Sequence, residues 1–92
     1  MQATAELQVV PLGDGVSVRT EVARVVELLN GSGLLIETHA AGTNIEGEMS
    51  VILDVIKTIH ETMHQEGSVR LISFIKLETR TDKVTTLAGK KL

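Results

Sequence analysis

The chain contains no cysteine, no tryptophan and no tyrosine, and Pro11 and Phe74 are its single proline and single phenylalanine. The absence of cysteine excludes disulfide bonds, thiol nucleophiles and metal sites with cysteine ligands. The near absence of aromatic rings argues against the stacking platforms with which proteins bind single-stranded nucleic acid. What is left is a chain of 92 residues whose apolar fraction, 42%, is almost wholly aliphatic.

Positive charge is also sparse. The net charge is −3, and nine basic residues are spread along the chain without forming a stripe. Such a chain is poorly suited to phosphate backbones or to anionic membrane surfaces. No apolar run approaches the roughly 20 residues of a membrane span, and the N-terminus has no signal-like pattern. We therefore expect one domain over residues 1–92, located in the cytoplasm, that binds neither nucleic acid nor membranes.

The first half of the chain has the pattern of a strand followed by a helix. Alternating apolar and polar residues predict a strand from Ala3 to Leu12, which Pro11 and the glycine turn at residues 13–15 bring to an end. A helix follows, with Ser17 as its N-cap and Gly31 or Gly33 as its stop. Its apolar residues recur at helical spacing on one stripe: Val18, Val22, Val25, Val26 and Leu29.

The second half adds two strands, a second helix and a final strand. Residues 34–40 and 43–48 are predicted strands, and residues 69–80 are predicted to form the last one. The helix before Gly67 has this apolar stripe: Ile52, Val55, Ile56, Ile59 and Met63. The order βαββαβ is typical of the α+β ferredoxin-like fold, a four-stranded antiparallel sheet with both helices on one face. Residues 81–92 are predicted to form a polar tail with a helical turn or two.

Strand parity assigns the side chains to the two faces of this sheet. The face covered by helices should hold the apolar residues Leu7, Val9, Leu34, Ile36, Ile45, Leu71, Ile75 and Leu77. The other face, called here the open face, should carry Thr4, Glu6, Gln8, Val10, Leu35, Glu37, His39, Asn44, Glu46, Ile72, Phe74, Lys76 and Glu78. It combines an excess of carboxylates with apolar residues that are too large to leave in water.

A second copy of the chain is the simplest cover for such a face. We therefore expect a homo-oligomer, either a dimer or a tetramer made from two dimers. Two packed faces would enclose a crevice suited to a flat, cationic small molecule that forms hydrogen bonds. The alternative interpretation of the same glutamates is that they serve solubility alone.

Residues 60–64 read His-Glu-Thr-Met-His, which matches the HExxH pattern of zinc metalloproteases on a predicted helix. Catalytic zinc also needs a third ligand, an open coordination position and a cleft, and the only other histidine is His39. Helix geometry puts His60 at the border of the buried stripe and Glu61 on the solvent side. His64 lies further round, where it should reach solvent or pair with an acid. We expect no metal site here, although adventitious metal binding by the two histidines stays open.

Other catalytic patterns are missing from the sequence. The turn at residues 13–15 lacks the GxxxxGK(S/T) pattern of a phosphate-binding loop, and Ser17 is most simply a helix cap. No order of serine, histidine and aspartate suggests a triad, and the available nucleophiles have no evident partner base. We expect a protein with no catalytic activity and no cofactor.

Several segments resemble the small thiamine-binding protein family. They are the strand end at residues 9–13, the segment 42–48, the helical Ile59-His60-Glu61, and residues 75–77 followed by 80–83. The resemblance runs through nearly the whole chain. It implies a ferredoxin-like domain that forms dimers and tetramers and binds thiamine or its hydroxymethylpyrimidine moiety without known catalysis.

The resemblance also implies a ligand crevice on this chain. Together with the charge of the open face, it selects these residues: Thr43, Asn44, Glu46, Phe74, Lys76 and Glu6. Thiamine joins a permanent thiazolium cation to an aminopyrimidine, so Glu46 would accept a hydrogen bond from the exocyclic amine. Glu6, Glu37 or Glu78 would supply a favourable field. Asn44 and Thr43 would fix the orientation of the ring. The expected roles are buffering, delivery or sensing of the vitamin.

A homo-oligomeric interaction module of the same fold is the competing interpretation. Its open face would serve assembly alone, and an effector would bind at an interface, as in amino-acid-sensing regulatory domains. Such a module must act on a separate partner. Thermal stabilisation by thiamine, rather than by amino acids, would separate the two interpretations.

Overall fold

The computed structural model describes residues 1–13 and 18–91. Its elements are β1 (Gln2–Leu12), α1 (Arg19–Asn30), β2 (Leu35–His39), β3 (Gly42–Glu48), α2 (Met49–Gln65), β4 (Arg70–Glu78) and a 3₁₀ turn at Ala88–Lys90. The strands form one antiparallel sheet in the order β2-β3-β1-β4. The predicted ferredoxin-like fold is therefore confirmed. The expected cap Ser17 and the turn residues Asp14 and Gly15 lie outside the described residues.

The core lies between the sheet and the two helices. Leu7 and Ile45, on the two central strands, are fully buried against Leu29 of α1 and against Ile52 and Ile59 of α2. The buried residues of α2 recur three and four positions apart, so they form one stripe of the helix, and they are those that the periodicity predicts. Packing of this stripe fixes which face of the sheet is covered.

β4 extends beyond the helix layer. Parity places Ile75 and Leu77 on the helix side, yet they remain 45% and 40% exposed. The helices pack mainly against the other three strands, so these two residues of the edge strand β4 lie beyond the helix layer. The expectation that helices bury these two residues is wrong.

The C-terminal tail, residues 81–91, does not extend into solvent. It turns back after β4 and crosses the open face, where Thr85 and Leu87 become buried. Backbone N–H of Leu87 donates to Glu46 Oε1 at 2.7 Å, and Lys91 Nζ reaches Glu37 Oε2 at 2.7 Å on the far strand. The predicted helical turn is confirmed as the 3₁₀ turn, and the tail covers one end of the open face.

Over residues 1–13 and 18–91, no helix is both long and apolar enough to cross a membrane.

Candidate functional site

Four polar side chains form a row across the whole sheet, one from each strand. The register pairs Glu37 of β2 with Asn44 of β3, Asn44 with Glu6 of β1, and Glu6 with Lys76 of β4. Neighbouring strands are about 4.8 Å apart, so the four side chains are close enough to interact along the row. We call Glu37, Asn44, Glu6 and Lys76 the polar row.

A hydrogen-bond network fixes the orientation of the amide in this row. Asn44 Nδ2 donates to Glu37 Oε1 at 3.3 Å, while Asn44 Oδ1 lies 3.2 Å from His39 Nε2. His39 Nδ1 accepts from the backbone N–H of Ala41, so the neutral ring carries its proton on Nε2 and can donate it to Asn44. Glu6 Oε2 lies 3.5 Å from the same nitrogen. Among residues 1–13 and 18–91, the network leaves one N–H of Asn44 and most of the Glu6 carboxylate available to a ligand.

The next row along the sheet, two residues away, is held by the tail. It contains Glu46 and Glu78, which pair on either side with Thr4 of β1. Glu46 Oε1 accepts from Leu87 N, and Glu78 accepts from Thr85 Oγ1 and forms a 2.6 Å ion pair with Lys90. The tail thus supplies donors to carboxylates that would otherwise face solvent.

Between the polar row and the tail lies a cavity of about 370 Å³. Its walls are Thr4, Ala5, Glu6, Asn44, Lys76, Leu77, Glu78, Leu87 and Lys90. Two carboxylates, an amide and two lysines line it, and Leu87 adds an apolar surface. Such a cavity can bind a small polar molecule through several directed hydrogen bonds.

Glu37 and Glu78, the carboxylates on the two edge strands, are held in their charged form. Hydrogen bonds from Lys91 and then from Asn44 keep the pKa of Glu37 below its usual value. A hydrogen bond from Lys90 likewise lowers the pKa of Glu78. Both carboxylates are therefore ionised at neutral pH, and both already have a lysine partner from the tail.

The structure brings together three of the six residues selected from the sequence. Glu6, Asn44 and Lys76 line the same cavity. Glu46 lies on the same face behind the tail, where its carboxylate accepts from Leu87. Phe74 shares that face, is 61% exposed and lies outside the cavity lining.

Thr43 lies on the opposite face from Asn44. It pairs with Leu7, is buried on the helix side, and lines a separate and mostly apolar cavity of about 240 Å³. Adjacent residues of a strand point to opposite faces, so Thr43 and Asn44 cannot contact one ligand from the same side.

The two histidines of the HExxH segment have partners within the protein. His60 is half-buried, and its Nε2 lies 2.5 Å from Ser73 Oγ. Glu61 is exposed, as predicted. His64 is exposed, in agreement with the expectation that it reaches solvent, and its Nδ1 also donates to the carbonyl oxygen of Ser68 at 2.7 Å, just beyond the end of α2. Within the described residues, no group of three or more His, Cys, Asp or Glu side chains could hold a metal ion.

Sequence reasoning did not assign the tail residues Thr85, Leu87 and Lys90 to the site. The signal available in the sequence was the apolar Leu87 within a segment expected to form a polar tail. Their partners were not deducible, because they depend on how the chain turns after β4.

Comparison with known proteins agrees with this fold. A family model described as "Thiamine-binding protein" matches residues 5–91. A UPF0045 protein from Synechocystis is 41% identical over 90 residues, which are 98% of this chain and 74% of that protein. The crystal structure of a hypothetical protein from Methanocaldococcus jannaschii has a TM-score of 0.89 at 35% identity, covering 97% of this chain and 91% of the other. A Thermotoga maritima structure provisionally assigned to thiamine biosynthesis or salvage has a TM-score of 0.85 at 20% identity, covering 98% and 96%, and shows the shared fold alone.

Proposed function

Since the chain belongs to the thiamine-binding protein family, we propose that it binds thiamine, or the hydroxymethylpyrimidine half of thiamine, without converting it. The observation that supports this proposal is the cavity in which Glu6, Asn44 and Lys76 meet. Its volume, about 370 Å³, falls within the range of roughly 300–1,000 Å³ that is usual for small-molecule sites.

The chemistry of the cavity complements an aminopyrimidine. The exocyclic amine is a donor, and the Glu6 carboxylate is the acceptor in the middle of the polar row. The ring nitrogens are acceptors, and the free N–H of Asn44 and the ammonium of Lys76 are donors within the same cavity. Charge-assisted hydrogen bonds of this kind are about twice as strong as neutral ones.

The thiazolium cation is favoured by the acids around it. Glu78 lines the cavity and Glu37 lies beside Asn44 at its edge, and their lowered pKa values keep both charged. The negative potential of these carboxylates stabilises the bound thiazolium ring, which carries its charge without having to gain a proton. A protein that holds the vitamin in this way would buffer it, deliver it or report its concentration.

A second copy of the chain would close the cavity on its open side. The tail already covers one end of the open face, so the surface left for a partner is the other end, with Ile72 38% and Phe74 61% exposed. Burying these residues in a homodimer would place the partner's surface over the polar row. In this proposal the ligand lies at a subunit interface.

Replacing Glu6 with glutamine tests the site. The variant keeps the size and one acceptor but removes the charge, so thiamine affinity should fall by about 1.5–3 kcal/mol, the contribution of a hydrogen bond to a charged group. Isothermal titration calorimetry measures the affinity, and thermal unfolding should show little change in stability.

Glu61→Gln is the matched control, because Glu61 is exposed on α2, on the other side of the sheet. It should leave the affinity unchanged. Equal thiamine affinity in wild type and Glu6→Gln would remove the cavity from the proposal.

Thermal shift with thiamine, its phosphates, the free pyrimidine and a set of amino acids tests the function itself. A response to amino acids alone would favour the regulatory module.

A further inference from the structure

Strand β1 continues beyond the strand that pairs with it on one side. Its pairing with β3 ends at Leu7, because Ala40 and Ala41 turn the chain between β2 and β3. Its pairing with β4, on the other side, runs on to Leu12. Within the described part of the chain, positions 8–12 of β1 therefore have a neighbouring strand on the β4 side alone. We call the space on the other side the notch.

The backbone of Val9 faces the notch. The carbonyl oxygen of Leu7 points towards β3, since a Cβ added at Gly42 would lie only 2.8 Å from it. The N–H and C=O of a strand residue point to the same side, and that side alternates along the strand, so Val9 directs both of its groups into the notch.

These two backbone groups are buried without a backbone partner. Val9 is only 9% exposed. Among residues 1–13 and 18–91, its N–H and C=O pair neither with β3 nor with the turn at residues 40–41. Buried backbone groups are nearly always paired, with protein, water or a ligand. Val9 thus offers one donor and one acceptor, side by side, to a bound molecule.

Pro11 limits what can bind along this edge. It is the next residue of β1 that faces the notch, and proline has no N–H. Prolines in strands are usually found on such an unpaired side. A peptide that added a strand here would find a single donor, at Val9, whereas strand addition depends on a series of main-chain hydrogen bonds. The notch therefore suits a small molecule.

An apolar cavity of about 240 Å³ opens beside Val9. Only Val25 and Leu29 of the apolar stripe of α1 are buried. The remaining valines of the stripe line the cavity together with Val25: Val18, Val22 and Val26. Apolar cavities of about 150 Å³ in other proteins bind a molecule of the size of benzene, so this one has room for a short branched aliphatic chain.

The lining also restricts the charge of the ligand. Within the part of the chain that the structure describes, none of the lining residues is Asp, Glu, Lys or Arg. An ionised ligand would lose its hydration without gaining a partner of opposite charge. The cavity beside the polar row is different, because two carboxylates and two lysines line it. The two cavities would therefore bind different chemical classes.

We propose that the apolar cavity is a second ligand site, which binds a short branched aliphatic molecule carrying an uncharged primary amide. The amide oxygen accepts from the N–H of Val9, and one amide N–H donates to its C=O. The aliphatic part packs against the valines of α1. The site depends neither on thiamine binding nor on a second copy of the chain.

Isovaleramide, titrated into the ¹⁵N-labelled wild-type protein at neutral pH, tests the site. It should shift the backbone amide resonance of Val9 in a saturable way, with a dissociation constant on the order of 1 mM, as expected for so small a ligand. The amide resonance of Lys76, on the far strand, should not move. Isovalerate has the same carbon skeleton but a charged carboxylate, and it should bind at least tenfold more weakly. No saturable shift at Val9, or equal binding of the two probes, would overturn the proposal.

Filling the cavity tests the location. Val22 lines it and is 45% exposed, so Val22→Phe places a larger side chain there without entering the core. This variant should bind isovaleramide at least tenfold more weakly than the wild type. Val51→Phe is the matched control, since Val51 is 38% exposed on α2 and lies outside the lining, and it should bind as the wild type does.

The dispersion of the NMR spectrum checks that each variant is folded. Unchanged isovaleramide affinity in a folded Val22→Phe protein would overturn the proposal. The wild-type titration requires no substitution, so it decides the question even where a variant does not fold.

Discussion

Gly42, the first residue of β3, permits the close approach of this strand to β1. A Cβ added there would lie 2.8 Å from the carbonyl oxygen of Leu7, a backbone atom that cannot move without shifting the central strand. Asn44 follows two residues later on the open face, so its position in the polar row depends on this approach.

Gly42→Ala should therefore destabilise the fold. We expect the free energy of unfolding to fall by about 1–3 kcal/mol, the usual cost of overpacking a site that cannot relax, as measured by urea denaturation. Gly31→Ala is the control, because its added Cβ would make only ordinary contacts at 3.7 Å. Equal effects of the two substitutions would show that the β1–β3 approach is not limiting.

The histidines show that residue type alone does not define a site. His39 lies in the network of the polar row because β2 and β3 form a hairpin that brings it beside Asn44. The more conspicuous pair, His60 and His64, bonds to Ser73 and to the carbonyl of Ser68. The spacing of the HExxH segment matches the motif, but the surroundings are those of a helix packed beside a sheet.

At the scale of elements, the tail is the part of the chain that most changes the open face. It places Lys90 beside Glu78 and Lys91 beside Glu37, so two of the acids available to a cation are already paired. A cationic ligand must compete with these lysines for electrostatic interaction with the two carboxylates. A neutral ligand need not.

Lys90→Ala should accordingly change the binding of the two proposed ligands differently. Thiamine affinity should rise about two- to fivefold, the range of one surface ion pair, while affinity for the uncharged hydroxymethylpyrimidine should stay the same. Calorimetry at low and high salt checks this, because added salt should shrink the difference. Lys83→Ala, in the tail but outside the cavity lining, is the control. A gain for both ligands alike would argue against an electrostatic effect.

Acid should release the tail. Hydrogen bonds from Lys91 to Glu37 and from Lys90 to Glu78 lower the pKa of each carboxyl group in the folded protein relative to the ordinary value of 4.5. The stability that these pairs contribute is therefore present above that value and is lost as the pH falls through the lowered folded pKa values. The NMR amide resonance of Leu87 should move towards its random-coil position below about pH 4.5, whereas that of Ile45 in the core should not. A Leu87 amide that stays in place until the whole domain unfolds would contradict this.

For the whole molecule, the exposed apolar side chains predict self-association. Ile72 and Phe74 on one face, and Ile75 and Leu77 on the other, would remain exposed in a monomer. We expect light scattering at micromolar concentration to give two or four times the monomer mass. A stable, folded monomer under these conditions would contradict the assembly and, with it, a ligand site at a subunit interface.

Much of the fold was predictable because the apolar residues of each strand or helix recur at the spacing typical of that element. The alternation of β1 and the helical stripe of α2 place their residues on the faces where the structure has them. Strand parity also put Glu6, Asn44 and Lys76 on one face, and these three line the cavity. Parity likewise separates Thr43 from Asn44, although the family resemblance treats the segment that contains them as one unit.

The sequence by itself determined which face of each strand is apolar, because side-chain direction alternates with every residue whatever the strand pairs with. Only the tertiary structure decided which residues became neighbours. The register aligned Glu37, Asn44, Glu6 and Lys76, which lie far apart in the chain, into one row. The return of the tail over Glu46 depends on where the chain turns after β4, and the exposure of Ile75 and Leu77 depends on where the helices lie on the sheet. These are properties of the packed molecule, and no local pattern encodes them.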